Sequence, residues 1–389
     1  MLQESLYLLD KLKTSLFIGL IAFVLSACVD EEETKNNYKL SEISFSHYES
    51  ENISVKPDQG IIVDGYLYVV LQKFSNEWDP EPGIIAVIDT ETNQEVDTDD
   101  SVEGIQPIHL DVSNPSKIIY RPELGKLFLQ ASGLFYGDEE ERYNAGGIVT
   151  IDVNTYETEL LIDDSADTYN VYNMTIVSDT LGYYVAYKGW GENYVYEFNP
   201  TTGDIADSSV ISLNEKNISD IEVDKEGNLW VANINAEDAG IYIVDTNTNE
   251  IDGALIPTTM PPQNITFITS PNTDDTLAVI ATFNFSGSGE HITITVDDSR
   301  SIETGLGTDH STDFFFVENG SEFYKVDRSF DNIVKYSSSD PATVLTQHSI
   351  RGDDVEANPH DMVFLDDSTA YILRYSAGNI WVVDTLLEE

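Results

Sequence analysis

Basic residues are scarce in this chain. Nineteen Lys and Arg stand against seventy Asp and Glu, a net charge of −51 over 389 residues. A nucleic-acid partner needs a basic footprint, so that class is excluded. The same charge opposes resting flat on anionic lipid and predicts a monomer. Cysteine is almost absent: Cys28 is the single one. No intrachain disulfide can form, and the fold rests on its core. Helical periodicity is nearly absent, and after Cys28 no stretch is apolar enough to span a membrane. Catalytic motifs are missing as well. There is no G-x-S-x-G and no H-E-x-x-H, and the six His (47, 109, 291, 310, 348, 360) are scattered. The turns at Gly287-Ser288-Gly289 and Gly305-Leu306-Gly307 precede no helix, so they are not phosphate loops. Residues 224–228 read as a hairpin turn rather than a calcium loop. Aromatics are plentiful, with 21 Tyr and 16 Phe. A packed core is therefore expected in spite of the charge.

The N-terminus carries the first positive signal. Lys11 and Lys13 precede an uncharged run from Ser15 to Val24, and Leu25-Ser26-Ala27-Cys28 follows. A basic start, an apolar middle and a small-residue cleavage site describe a secretory signal. The run is short for a span, which needs about 20 apolar residues. A cysteine at the cleavage position resembles the lipobox of bacterial lipoproteins. That resemblance implies that residues 1–27 are removed and that Cys28 is the lipidation site. The alternatives are one spanning helix or a chance cysteine behind a plain signal. Residues 28–38 read as an acidic tether. The acidic run resembles the surface-export signal of some Gram-negative lipoproteins; the alternative is a solvated linker without an address. The expected location is the outer membrane, lipid-anchored, at the cell surface, with the periplasmic face left open.

One pattern then recurs seven times. An apolar strand ends in Asp or a turn at GIIAVIDTETN from Gly83, GIVTIDVNT from Gly147, YVYEFNPTTG from Tyr194 and GIYIVDTNTN from Gly240. It continues at HITITVDDS from His291, NIVKYSSSD from Asn332 and NIWVVDT from Asn379. A second strand precedes each copy, as in YLYVVLQ at Tyr66 or TAYILRY at Thr369, and a third precedes that, as in DIEVDKEG at Asp220. Tight polar turns such as Asp64-Gly65 and Glu226-Gly227 link them as hairpins. Asp89 to Asp384 makes six intervals of about 49 residues, the period of a propeller blade. The fold class expected over residues 39–389 is all-β, a seven-bladed β-propeller. The last unit has only three strands, and KLSEISFSH from Lys39 is an orphan strand able to complete it and close the ring.

Candidate sites follow from aligning the seven units. The starts of the innermost strands are Gly60, Lys117, Asn173, Asp220, Asn264, Asp313 and Asp361. Asn and Asp at such places cap turns. Alternatively their oxygens suit Ca²⁺, which makes Asn173, Asp220, Asn264, Asp313 and Asp361 candidate metal ligands. The loops after the second strands interleave basic and aromatic residues. Candidate ligand-binding residues there are Lys73, Trp78, Arg142, Lys188, Trp190, Arg328, Arg374 and Tyr375. Phe74, Phe135, Tyr136, Tyr143, Tyr187, Phe283, Phe285 and Phe330 accompany them. Cations beside aromatic faces suit an anionic or conjugated ligand. The other possibility is that they pack blade to blade and neutralise nearby acids.

The repeated φ-x-φ-φ-D-x-x-[TN] strand resembles bacterial YncE-like propeller proteins. With the lipobox, the chain resembles surface propeller lipoproteins that partner TonB-dependent transporters. That resemblance implies a non-catalytic protein capturing a small nutrient or cofactor-like ligand, such as cobalamin or a ferric siderophore. Two other functions stay open. One is a calcium-dependent lactonase-like hydrolase with its metal at the channel mouth. The other is a surface scaffold for protein or glycan.

Overall fold

The computed structural model describes residues 38–135, 143–214, 216–235, 237–269, 276–284, 287–352 and 356–386. The signal segment, Cys28 and the tether up to residue 37 lie outside the described residues, as do Tyr136, Arg142 and Phe285.

Seven antiparallel sheets follow one another along the chain and form a seven-bladed β-propeller. Blade 1 holds Ile53–Val63, Tyr66–Ser75 and Pro80–Asp89, with the outer Gln94–Glu95 and Ile108–Ser113. Blade 2 runs Pro115–Arg121, Lys126–Ala131, Gly147–Asp152 and Thr158–Asp163. Blade 3 has three strands, Asn170–Ser178, Leu181–Gly189 and Glu192–Phe198. Blade 4 holds Ile218–Val223, Leu229–Asn233 and Gly240–Asp245, edged by Glu250–Ile251 and Ile256–Pro257. Blade 5 is Pro262–Thr269, Thr276–Asn284, Ser288–Thr295 and Ile302–His310. Blade 6 is Phe314–Asn319, Glu322–Asp327, Asn332–Ser337 and Thr346–Ser349. Blade 7 takes Pro359–Phe364, Thr369–Arg374 and Asn379–Asp384 from the C-terminal end of the chain. No helix among the described residues is long and apolar enough to cross a membrane.

The ring closes as the orphan strand foretold. Lys39–Ser44 pairs antiparallel with Asn379–Asp384 as the outer strand of blade 7. Glu42 accepts from Asn379 Nδ2 at 2.9 Å and from Trp381 Nε1 at 3.2 Å. The edge that an open ring would expose is covered.

The core lies in the seams between blades. Second strands read as nearly continuous apolar runs because both of their faces are buried. In blade 1, Leu67, Val69 and Leu71 pack against Tyr371 and Leu373 of blade 7. The alternate residues Tyr68 and Val70 pack against Leu127 and Leu129 of blade 2. Hydroxyls stitch the same seams. Tyr371 Oη donates to Asn93 Oδ1 at 2.8 Å, and Tyr183 Oη donates to Asn249 Oδ1 at 2.7 Å.

The repeated Asp has a local cause. Asp89 Oδ1 accepts from the N–H groups of Glu91 and Thr92, both at 2.9 Å, and Asp152 Oδ1 does the same for Asn154 and Thr155 at 2.8 and 3.1 Å. The following Thr90 and Thr246 hydroxyls donate to the carbonyls of Gly65 and Gly227, each at 2.7 Å. The motif builds turns.

Candidate site at the channel mouth

Six blades carry a register shift near the start of the innermost strand. It falls at Pro57/Gly60, Pro115/Ile118, Val171/Asn173, Ile218/Asp220, Pro262/Asn264 and Pro359/Asp361. A bulge leaves a residue unpaired and re-aims its side chain. Four of the six begin at proline, which a strand tolerates at such a break. Tyr172, Ser219, Gln263 and Ser116 are bulge residues, and all four line a cavity of about 330 Å³ at the channel mouth. Gln59, Phe314, Phe315 and Arg328 complete much of its wall. His360 is the bulge residue of blade 7.

One residue further along, the Asn and Asp side chains form a belt around the channel. Lys117 Nζ donates to Asn173 Oδ1 (3.1 Å), and Asn173 Nδ2 donates to Asp220 Oδ1 (2.9 Å). Asp220 Oδ2 accepts from the N–H of Ile265 (2.8 Å) and from Asn264 Nδ2 (3.3 Å). Asn264 Oδ1 accepts from the N–H of Phe316 (3.3 Å), and Asp361 Oδ2 from that of Gly60 (2.9 Å). Each bond joins one blade to the next. Of the expected ring, Asn173, Asp220, Asn264, Asp361 and Lys117 line the inner cavity. Gly60 does not hold a ring place: its N–H donates to Asp361 as that of Ile265 donates to Asp220, which puts Gln59 on the ring. Asp313 is also off the ring. Blade 6 has no register shift, and Phe315 pairs with Val326 as Asp220 pairs with Ala232. Asp313 instead binds Arg328 Nη1 at 3.2 Å.

Further along the same strands the channel widens to about 470 Å³, with Glu222, Thr266, Phe316 and Glu318 in its wall. The Lys117 ammonium forms an ion pair with Glu222 there and lies 3.7 Å from Asp220. Burial opposes its charge, but Glu222 and Asp220 outweigh burial and hold its pKa up. Burial also pushes Glu222 upward, against the pull of Lys117. Asp361 is pushed up to about 7 by burial, opposed by the Gly60 and Met362 N–H groups. This donor set does not suit Ca²⁺. Its oxygens hold neighbouring strands, an ammonium stands among them, and no group of three or more His, Cys, Asp or Glu able to hold a metal occurs among the described residues.

Of the expected ligand-binding residues that are described, the mouth cavity takes in Arg328 alone. Its guanidinium lies 5.1 Å from the Phe315 ring centre. Arg328 Nε and Gln263 Oε1 are both buried without a hydrogen-bond partner among the described residues. A file of aromatic rings leads into the mouth, with Phe135 5.7 Å from Tyr187 and Tyr187 5.8 Å from Tyr172. Trp78 and Trp190 are exposed elsewhere on the loops (67% and 68%). Lys188 pairs with Glu192 at 3.7 Å, and Lys73 is half-buried within its strand between Val55 and Glu81. Arg374 is not open to a ligand: it is 2% exposed, lies 4.0 Å from the Trp381 ring centre and donates from Nε to Ile350 O at 3.1 Å. Tyr375 donates to Gln72 Oε1 at 3.0 Å and stacks on His360 with ring centres 3.8 Å apart.

A second polar group is buried in the seam between blades 5 and 6. Lys325 Nζ donates to His310 Nδ1 (3.3 Å), the two imidazoles share a hydrogen bond of 2.8 Å, and His291 Nε2 donates to Pro341 O (2.8 Å). Only neutral rings satisfy this relay, each accepting at Nδ1 and donating at Nε2; the tautomers are assigned from these partners. Burial lowers His291 to about 4, and burial together with Lys325 lowers His310 further.

The two component regulator propeller family matches residues 212–235, within blade 4 and the segment before it. No curated protein matches this chain. Among solved structures, a periplasmic gluconolactonase from Pseudomonas aeruginosa is similar at 12% identity and a TM-score of 0.55, with 87% of this chain and 95% of that one covered. The β-propeller domain of the Trilobed protease from Pyrococcus furiosus gives 11%, 0.53, 87% and 95% in the same order. A prolyl endopeptidase gives 11% and 0.53 over 83% of this chain, which spans only 47% of that protein's length. These likenesses show the propeller fold.

Proposed function

We propose that the protein is an exported, lipid-anchored binding protein whose ligand site is the channel mouth. The ligand is a small, hydroxylated carboxylate with one apolar or planar face. The observation that carries this reading is the pair of unpartnered buried atoms at the mouth, the donor Arg328 Nε and the acceptor Gln263 Oε1. A buried polar atom without a partner is costly, and a ligand atom in its place removes that cost. Tyr172 and Phe315 offer faces beside them. The mouth, at about 330 Å³, sits at the small end of ligand pockets, roughly 300–1,000 Å³. That favours a sugar acid over cobalamin or haem. Anchoring through Cys28 and delivery to a TonB-dependent transporter complete the proposal; their support is the lipobox-like stretch and the YncE-like repeat. The test is calorimetry of the domain from residue 36 with gluconate, cobalamin, haem, a ferric siderophore and calcium. Gluconate is expected to bind, with at least tenfold weaker affinity in Arg328→Ala. Binding of none of these, or undiminished binding in that variant, refutes the assignment and turns attention to the exposed Trp78 and Trp190 as a surface for protein or glycan.

A further inference from the structure

His360 holds in blade 7 the bulge position that in other blades carries a mouth residue. It corresponds in blade 7 to Tyr172, Ser219 and Gln263, which line the cavity. Gln59 and Arg328, from blades 1 and 6, line the same cavity. The ring is held on two sides. Its Nδ1 lies 2.5 Å from Asp58 Oδ1, and its face stacks on Tyr375. Asp58 is itself buried and comes from the bulge of blade 1. The Nδ1–H therefore points at a carboxylate, which leaves Nε2 as the basic nitrogen. Nε2 makes no hydrogen bond among the described residues. An imidazole oriented by a carboxylate, with its other nitrogen free, is built to take a proton.

Arg328 is the cation that acts on it from blade 6, with Asp313 beside it. Its field acts on His360, Asp361, Tyr375 and Tyr172 alike. The free donor Nε of Arg328 suits an oxygen on which negative charge develops.

We propose that the mouth hydrolyses a small carboxylic ester or lactone, with His360 as general base, Asp58 as its positioning residue and Arg328 holding the carbonyl oxygen. This rests on the reading of the mouth as a ligand site. Water attacks the carbonyl carbon while His360 Nε2 takes one of its protons. The carbonyl π pair moves onto the oxygen, and the Arg328 Nε–H donates to the oxyanion so formed. Collapse re-forms the carbonyl and breaks the acyl C–O bond. The departing alkoxide oxygen takes the proton back from His360. Water is consumed, an acid and an alcohol result, and no oxidant or metal enters.

Burial lowers the pKa of His360, while the hydrogen bond and charge of Asp58 raise it in part. Arg328 lowers it and Asp313 raises it, and Asp361 follows on its own strand. The base is thus neutral and ready at pH 7.

The test follows glucono-1,5-lactone and 4-nitrophenyl acetate over a pH series, with gluconate binding measured in parallel. Hydrolysis above the buffer rate is expected, with an ascending limb whose midpoint lies below 6.5. His360→Gln should lower kcat about 100-fold or more and leave gluconate affinity within threefold. Added imidazole should restore part of the rate in His360→Gly. Asp58→Asn should lower kcat and move the ascending limb while KM stays close to wild type. Gluconate binding without turnover, or wild-type turnover in His360→Gln, overturns the hydrolase and leaves the binding site standing. Neither binding nor turnover overturns both.

Discussion

The relay between blades 5 and 6 makes the fold sensitive to acid in a defined window. In the unfolded chain a histidine binds its proton near pH 6.5. In the folded protein His291 does so only at about 4. Between those values the unfolded state holds more protons, so stability falls as pH falls. The slope is about 1.4 kcal/mol per pH unit for one imidazole, and from pH 6.5 to pH 5 the loss is about 2 kcal/mol. A first proton also turns an acceptor into a donor facing a donor, either the Lys325 ammonium or the other imidazole. The assay is urea unfolding at pH 7.5 and pH 5.0, read by tryptophan fluorescence. The comparison is between the wild type and the double variant His291→Asn/His310→Gln. Carboxylates titrate in both proteins, so their share cancels in the difference. The wild type should lose about 4 kcal/mol more than the variant, about 2 kcal/mol for each of the two imidazoles. Equal losses would mean that the imidazoles are charged or open to water in the native state, and the neutral relay would be wrong.

Two further outcomes test the frame. Arg374→Met leaves the Ile350 carbonyl without its 3.1 Å donor and should cost about 1–3 kcal/mol. A melting curve should show that loss while gluconate titration stays unchanged. Gly147 has φ +130, and a Cβ there would lie 2.1 Å from Ile162 O. Gly147→Ala should therefore yield no soluble propeller, as a size-exclusion trace would show.

Blade number and ring closure were legible because they depend on local hydrogen bonding. The Asp at each strand end binds N–H groups two and three residues away, so it marks turns wherever it recurs. The spare strand at Lys39 needed only counting. The mouth was harder to read. A bulge shifts the frame by one residue, and blade 6 lacks one. An acid placed just before its strand therefore looked like a ring residue, whereas Phe315 holds that place. The signal for the bulges was in the chain all the same, since Pro57, Pro115, Pro262 and Pro359 each stand two residues ahead of a ring side chain. Arg374 misled for another reason. It ends a strand beside a turn, which suggests exposure, but the segment that roofs it comes from residues 350–352, in the connection from blade 6 into blade 7. His360 looked like one of six scattered histidines because its partner Asp58 is 302 residues away in the chain.

The strand Lys39–Ser44 is among the first parts of the propeller to be synthesised, and its partner Asn379–Asp384 is among the last. Until that partner emerges, the early strand has no ladder to join, and the six intervening blades can form only as an open arc. Contacts between residues so far apart in sequence are slow to form because their loop must close first. Completion of the ring is thus a late, single event. A chain caught before it keeps two unpaired edges and no finished channel mouth.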